Sequence, residues 1–313
     1  MYKKIMLATD GSKYSEAALE EAIDVAKIFD SNVTILNVID INNEILKISP
    51  ELSDKLALQA KEIIDKAQRK MREADIKINT VIKEGDPHEI IPQLAMQEGI
   101  DLIIIGTYGR KGLKLLLMGS VAADVVCHAS CDVLVVKERV KADNRNKKYQ
   151  SILVPYDGSE FSKTALEQAC QIVKINQGEI SVFYVIPRYE EVLEFFKTNW
   201  MKEILMCEAK AIVKQAQEVA LKNGISIKTR IESENHVDVK IVEAAKKSKT
   251  DIIIMGVRGL GNLDRIIMGS VIERVIINAP CPILVIKKTL GKKQIKEHSS
   301  PLIQHQGFTN LIL

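Results

Sequence analysis

Two stretches of this sequence combine residue types able to hold an anion. In the first, Gly106-Thr107-Tyr108-Gly109 is followed by nine residues and then by Gly119-Ser120-Val121. In the second, Gly256-Val257-Arg258-Gly259 is again followed by nine residues, then by Gly269-Ser270-Val271. Glycine lets backbone N–H groups come close to a ligand, because no Cβ stands in the way. The Gly-Ser-Val opens an apolar helical pattern, so the first N–H groups of that helix and the serine hydroxyl point back at the same spot. Such a place suits phosphate. Nearby cations, Arg110, Lys111 and Lys114 or Arg258 and Arg265, either screen phosphate charge or are ordinary solvated residues.

The elements that must position these residues are also repeated. Each glycine loop follows an apolar run, Leu102-Ile103-Ile104-Ile105 or Ile252-Ile253-Ile254-Met255, itself preceded by Asp101 or Asp251. Such a run reads as a strand buried on both faces. Earlier in each copy, a short apolar run ends in Asp10-Gly11-Ser12 or Asp157-Gly158-Ser159. The aspartates lie 147 residues apart and the glycine loops 150 apart, so the second copy holds three extra residues. This is duplication of a whole domain. We expect domains at 1–138 and 149–288, a basic linker at 139–148 and a tail at 289–313.

Strand and helix patterns alternate through both copies, which predicts parallel sheets with right-handed crossovers. Asp86-Pro87 starts one helix of the first copy, where the second has Asn235, and Asn223-Gly224 ends another. Asp10 and Gly106 face one ligand if the fourth strand lies beside the first, giving the order 3-2-1-4-5. The fold class is therefore α/β: two tandem, open, twisted, parallel five-stranded sheets with flanking helices, Rossmann-like. The fifth strands, Val133-Leu134-Val135-Val136 and Ile283-Leu284-Val285-Ile286, are apolar edges that need a partner.

The doubled pattern Gly-x-x-Gly-x9-Gly-Ser resembles the ATP-binding signature of the universal stress protein family, and the resemblance covers both halves. It implies adenine nucleotide, ATP, at each, and domains that associate through their fifth strands, so the two edges are expected to meet within one chain around a pseudo-two-fold axis, with a further dimer of chains left open. It places Ala8, Thr9, Asp10, Val38, Gly106, Gly109, Gly119, Ser120 and Val121 around one ligand. Pro155, Tyr156, Asp157, Val185, Gly256, Arg258, Gly259, Gly269, Ser270 and Val271 then surround the other. Val38 and Val185 would offer backbone to adenine, unless they are plain core valines, and the aspartates would lie near ribose and phosphates. Asp10 and Asp157 could also help to hold magnesium or manganese through phosphate. The family often has a basic residue or histidine before the second glycine; Arg258 fits, while Tyr108 departs from it.

Other features bound the function. A net charge of +3 on 313 residues makes no electrostatic case for nucleic acid. No apolar run is long enough for a membrane span, no signal peptide is evident, and the five cysteines lack disulfide spacing. A soluble, cytoplasmic protein is expected. Cys127-His128-Ala129-Ser130-Cys131 offers at most three metal ligands and reads as structural, while His88 and His236 read as surface residues. There is no Gly-x4-Gly-Lys-Ser/Thr loop, no Ser-Gly-Gly-x-Asp-Ser loop, and no His–carboxylate pair at a strand end. The expectation is a nucleotide-dependent regulatory module with unnamed protein partners and little hydrolysis. A slow ATPase or related enzyme of this fold is one alternative, and a nucleotide-free interaction protein another.

Overall fold

The computed structural model describes residues 1–40, 50–109, 118–137, 148–187, 199–234, 236–259 and 268–287. Arg110, Lys111, Lys114, Asn235, Arg265, most of the basic linker and the tail lie outside the described residues.

The first half runs β1 (Lys4–Ala8), α1 (Lys13–Phe29), β2 (Asn32–Ile39), α2 (Pro50–Glu73), β3 (Ile78–Glu84), α3 (Pro87–Glu98), β4 (Leu102–Gly106), α4 (Ser120–His128) and β5 (Asp132–Val136). The second half repeats this as β6 (Ser151–Pro155), α5 (Glu160–Asn176), β7 (Glu179–Pro187), α6 (Asn199–Lys222), β8 (Lys228–Glu234), α7 (Val237–Lys247), β9 (Ile252–Gly256), α8 (Ser270–Asn278) and β10 (Ile283–Ile286).

Local chemistry fixes where these elements begin. The hydroxyls of Ser12 and Ser159 accept from the N–H groups of Ser15 and Ser162, capping α1 and α5. Asp86 caps α3 by accepting from the His88 N–H at 2.9 Å, with Pro87 in the first turn. The equivalent helix, α7, starts after His236 without a side-chain cap. The aspartate before each central strand has a clear purpose. Asp101 accepts from the N–H groups of Lys3 and Lys4, and Asp251 from those of Gln150 and Ser151, at 2.8 and 2.9 Å in both cases. Each ties the start of one central strand to its neighbour.

The sheet order is β3-β2-β1-β4-β5-β10-β9-β6-β7-β8. Within each half all pairings are parallel in the 3-2-1-4-5 order, so the strand ends beside β1 and β4, and beside β6 and β9, form switch points. The two five-stranded sheets are not separate bodies: β5 and β10 pair antiparallel and make one sheet of ten strands. Leu134 pairs with Leu284, its own counterpart, so a pseudo-two-fold axis passes between them. Helices α1, α2, α5 and α6 cover one face, and α3, α4, α7 and α8 the other. The core on each face contains residues from both halves, so the hydrophobic interior is continuous across the join.

Polar contacts also cross it. Lys137 Nζ donates to the Ile277 carbonyl at 2.6 Å, and Lys287 Nζ donates to those of Val126 and Cys127 at 2.7 Å. Each lysine thus places a cation on the carboxyl end of the other half's last helix, where the helix dipole favours it. Buried Glu21 on α1 accepts from Tyr149 Oη and Lys148 Nζ of the second half. Because the join is antiparallel, the two switch points open at opposite ends of the strands.

Candidate functional site

At the first switch point, β1 and β4 lie side by side, with Ala8 opposite Ile105. The chain beyond β1 is held in place by two bonds to β2. The Thr9 N–H donates to the Leu36 carbonyl at 2.9 Å, and Asn37 Nδ2 donates to the Thr9 carbonyl at 2.7 Å. Asp10 then turns back on itself: its Oδ1 accepts from the Ser12 N–H at 3.0 Å, an aspartate turn. Gly11 completes that turn with φ +77°, and Gly158 does so in the second half with φ +82°.

The glycine loop comes down onto this aspartate. A Cβ on Gly109 would lie 3.0 Å from Asp10 Oδ2. In the second half, a Cβ on Gly259 would lie 2.5 Å from Asp157 Oδ2, and the Ser159 N–H donates to Asp157 Oδ1 at 3.0 Å. Both sites therefore bring a carboxylate against a loop glycine, where a Cβ would press on the aspartate side chain. Gly106 and Gly256 serve a different purpose. Their missing side chains admit the backbone of Tyr14 on α1 and Phe161 on α5, which lets each helix close over the strand end.

The other side of each cradle is a helix start. The Gly119 N–H donates to the Thr107 carbonyl at 3.0 Å and closes the first loop, and Gly269 reaches Val257 at 3.5 Å in the second. Helices α4 and α8 begin at these glycines without a side-chain cap, unlike α1, α3 and α5. Ser120 and Ser270 are exposed in the first turns, and Val121 and Val271 pack partly against the core. Backbone donors, a hydroxyl and the positive end of a helix dipole thus face one place in each half.

The remaining expected site residues divide by burial. Val38 is half-buried near the end of β2, whereas Val185 is buried on β7. Ala8 and Thr9 are buried, Pro155 is half-buried, and the Tyr156 ring is buried with its hydroxyl donating to Gln215 on α6 at 3.4 Å. Burial, with the nearby Asp157 charge, pushes the Tyr156 phenol up to about 12, so it stays neutral. Tyr108 packs against the Tyr14 ring, centroids 5.1 Å apart, and burial raises its phenol too. Arg258 lies close enough to Lys287 for its charge to lower that lysine's pKa, behind the larger effect of burial.

Among the described residues, no three metal-ligating side chains come together. A divalent ion beside Asp10 or Asp157 would need phosphate oxygens to complete its shell. Burial pushes the Cys131 and Cys281 thiols up to about 12, in keeping with packed, protonated side chains. No helix among the described residues is long and apolar enough to cross a membrane.

Three contributors were not singled out from sequence: Asn37, Tyr14 and Ser15. The one usable signal was an asparagine inside the apolar run Ile35-Leu36-Asn37-Val38, a residue type that strands disfavour.

Comparison with known proteins identifies the family of this fold. The profile of the universal stress protein family matches residues 1–137 and 148–287. Universal stress protein MJ0531 of Methanocaldococcus jannaschii is 39% identical over 145 residues, covering 45% of this chain and 85% of that protein. Universal stress protein MJ0577 of the same organism is 32% identical over 157 residues, covering 44% of this chain and 97% of its own length. The crystal structure of a universal stress protein from Archaeoglobus fulgidus DSM 4304 superposes with a TM-score of 0.69 at 25% identity, over 91% of this chain and 98% of that one. With a duplicated glycine signature, a family match in each half and a solved relative spanning nearly the whole fold, this chain belongs to the universal stress protein family, in a form that carries the family unit twice.

Proposed function

We propose that the chain binds ATP at two sites, one in each half, and acts as a cytoplasmic regulatory module whose occupancy sets its shape or its protein partners. One observation carries this reading: both halves bring an aspartate, a close-packed glycine loop and an uncapped helix start to the same point. A triphosphate would lie across the helix start and the loop. Ser120 or Ser270 would donate to it, and the strand-two backbone near Val38 or Val185 would meet the base. Magnesium, if carried in on the phosphates, would rest against Asp10 or Asp157 and neutralise charge there.

Hydrolysis should be slow. Asp10 and Asp157 are engaged by backbone N–H groups in their own turns, which holds them for binding rather than for activating water. Calorimetric titration of the single variants Gly109→Val and Gly259→Val tests the whole reading. Each should lose one of two sites and keep the other, with phosphate release well below about 1 per second. A variant that still binds two ATP per chain removes the loop from the site; faster release shows a catalyst instead.

A further inference from the structure

The two sites differ in the residues beside the cradle. Helix α3 presents His88 toward α4, which presents Ser120 and Asp124. At the counterparts 150 residues later, α7 presents Asp238 and α8 presents Arg274, so the charges are exchanged. In the second half these two form a closed pair, with Arg274 Nε 3.3 Å from Asp238 Oδ1 and Asp238 buried. In the first half the pairing is looser. Asp124 Oδ1 takes His128 Nδ1 at 2.9 Å, while His88 Nδ1 stands 4.0 Å from Asp124 Oδ2. The other ring nitrogen of His88, Nε2, lies 3.5 Å from Ser120 Oγ.

We propose that the His88 imidazole is the side-chain partner of the ligand phosphate at the first site, which makes binding there, and not at the second site, strengthen as pH falls. The inference rests on the nucleotide reading above. An anion held by Ser120 and the first turn of α4 lies within hydrogen-bonding reach of His88 Nε2. The His88 side chain is 35% exposed, so a ligand can reach it, and its N–H bond to Asp86 fixes it in the first turn of α3. The site also lacks another such partner among the described residues of its loop. Tyr108 stands where the second copy has Arg258, and its ring is packed on Tyr14.

The protonated ring donates from both nitrogens, so Asp124 can hold one while phosphate accepts from the other, as a charge-assisted bond. From α4, Ser120 and Asp124 face the ring, with His128 behind Asp124; Asp86 lies on its own helix. Strand β2 also borders α3, where Thr34 donates to Glu98 at the far end of that helix. Acidification favours the imidazolium cation, and a cation tightens an anionic ligand.

The test is calorimetry with ATP at pH 6 and pH 8 on two variants. Gly259→Val keeps only the first site and Gly109→Val only the second. Protonation of ATP itself is common to both variants. The first site should gain on the order of tenfold more affinity on acidification than the second. Adding His88→Gln to Gly259→Val should remove that gain while ATP still binds. In the unmodified chain, the His88 ring resonance should move on adding ATP, with its titration midpoint raised. An equal pH response at the two sites, a response that survives His88→Gln, or a ring resonance blind to ATP overturns the assignment and leaves nucleotide binding intact. Absence of binding to Gly259→Val at both pH values overturns the nucleotide reading of the first half, and this inference with it.

Discussion

At the scale of single residues, the cradle depends on groups that hold backbone in place. Asn37 is buried and donates to the Thr9 carbonyl, so it sets the path of the chain just before Asp10. Asn37→Leu would leave that carbonyl without its donor. We expect a loss of about 1–3 kcal/mol in urea unfolding, with weakened binding at the first site alone. Unchanged stability would show that the bond carries nothing. Such a role could not be read from sequence, because the partner lies 28 residues away and is backbone. Asp10, Asp157 and the loop glycines were legible because their types are unusual at strand ends and their spacing repeats. Even there, Gly106 and Gly109 looked alike, and only packing assigns one to helix α1 and the other to the carboxylate. His88 read as a surface residue, and its exposure agrees; its meeting with Ser120 depends on how α3 packs on α4.

At the scale of elements, β5 carries a charge that its sequence pattern conceals. Asp132 begins this buried strand and accepts from Tyr2 Oη at 2.8 Å and the Lys287 N–H at 2.9 Å. Burial nevertheless raises its carboxyl to about 6, above the ordinary value of 3.8. The folded state thus binds this proton more tightly than the unfolded chain. The stabilising contribution is complete below pH 4, falls between about pH 4 and 6, and is gone above that window. Asp132→Asn should remove this fall, worth about 1.4 kcal/mol for each unit of the shift. Unfolding curves for the two proteins across pH 4–7 check it. Parallel pH profiles would mean that Asp132 is more hydrated than its burial indicates. The apolar run of β5 was plain in the sequence, but the tyrosine and lysine that converge on its first residue come from the two far ends of the described chain.

At the scale of the molecule, the strand order and the meeting of the two fifth strands could be argued from sequence. The order follows from where a ligand must lie, and the meeting from the family resemblance together with the exposed edges. What sequence did not reveal is how fully the halves merge: the cores are shared, and Lys137 and Lys287 each cap a helix of the opposite half. These contacts have no local pattern, since a terminal lysine after a strand is ordinary wherever it occurs. The antiparallel join leaves the two cradles at opposite ends of the strands. The central claim is therefore a number, two ligands per chain. Native mass spectrometry of the unmodified protein titrated with ATP measures it directly. Two successive ATP masses on a single chain are the predicted result, and a chain that takes up none at millimolar ATP contradicts the account.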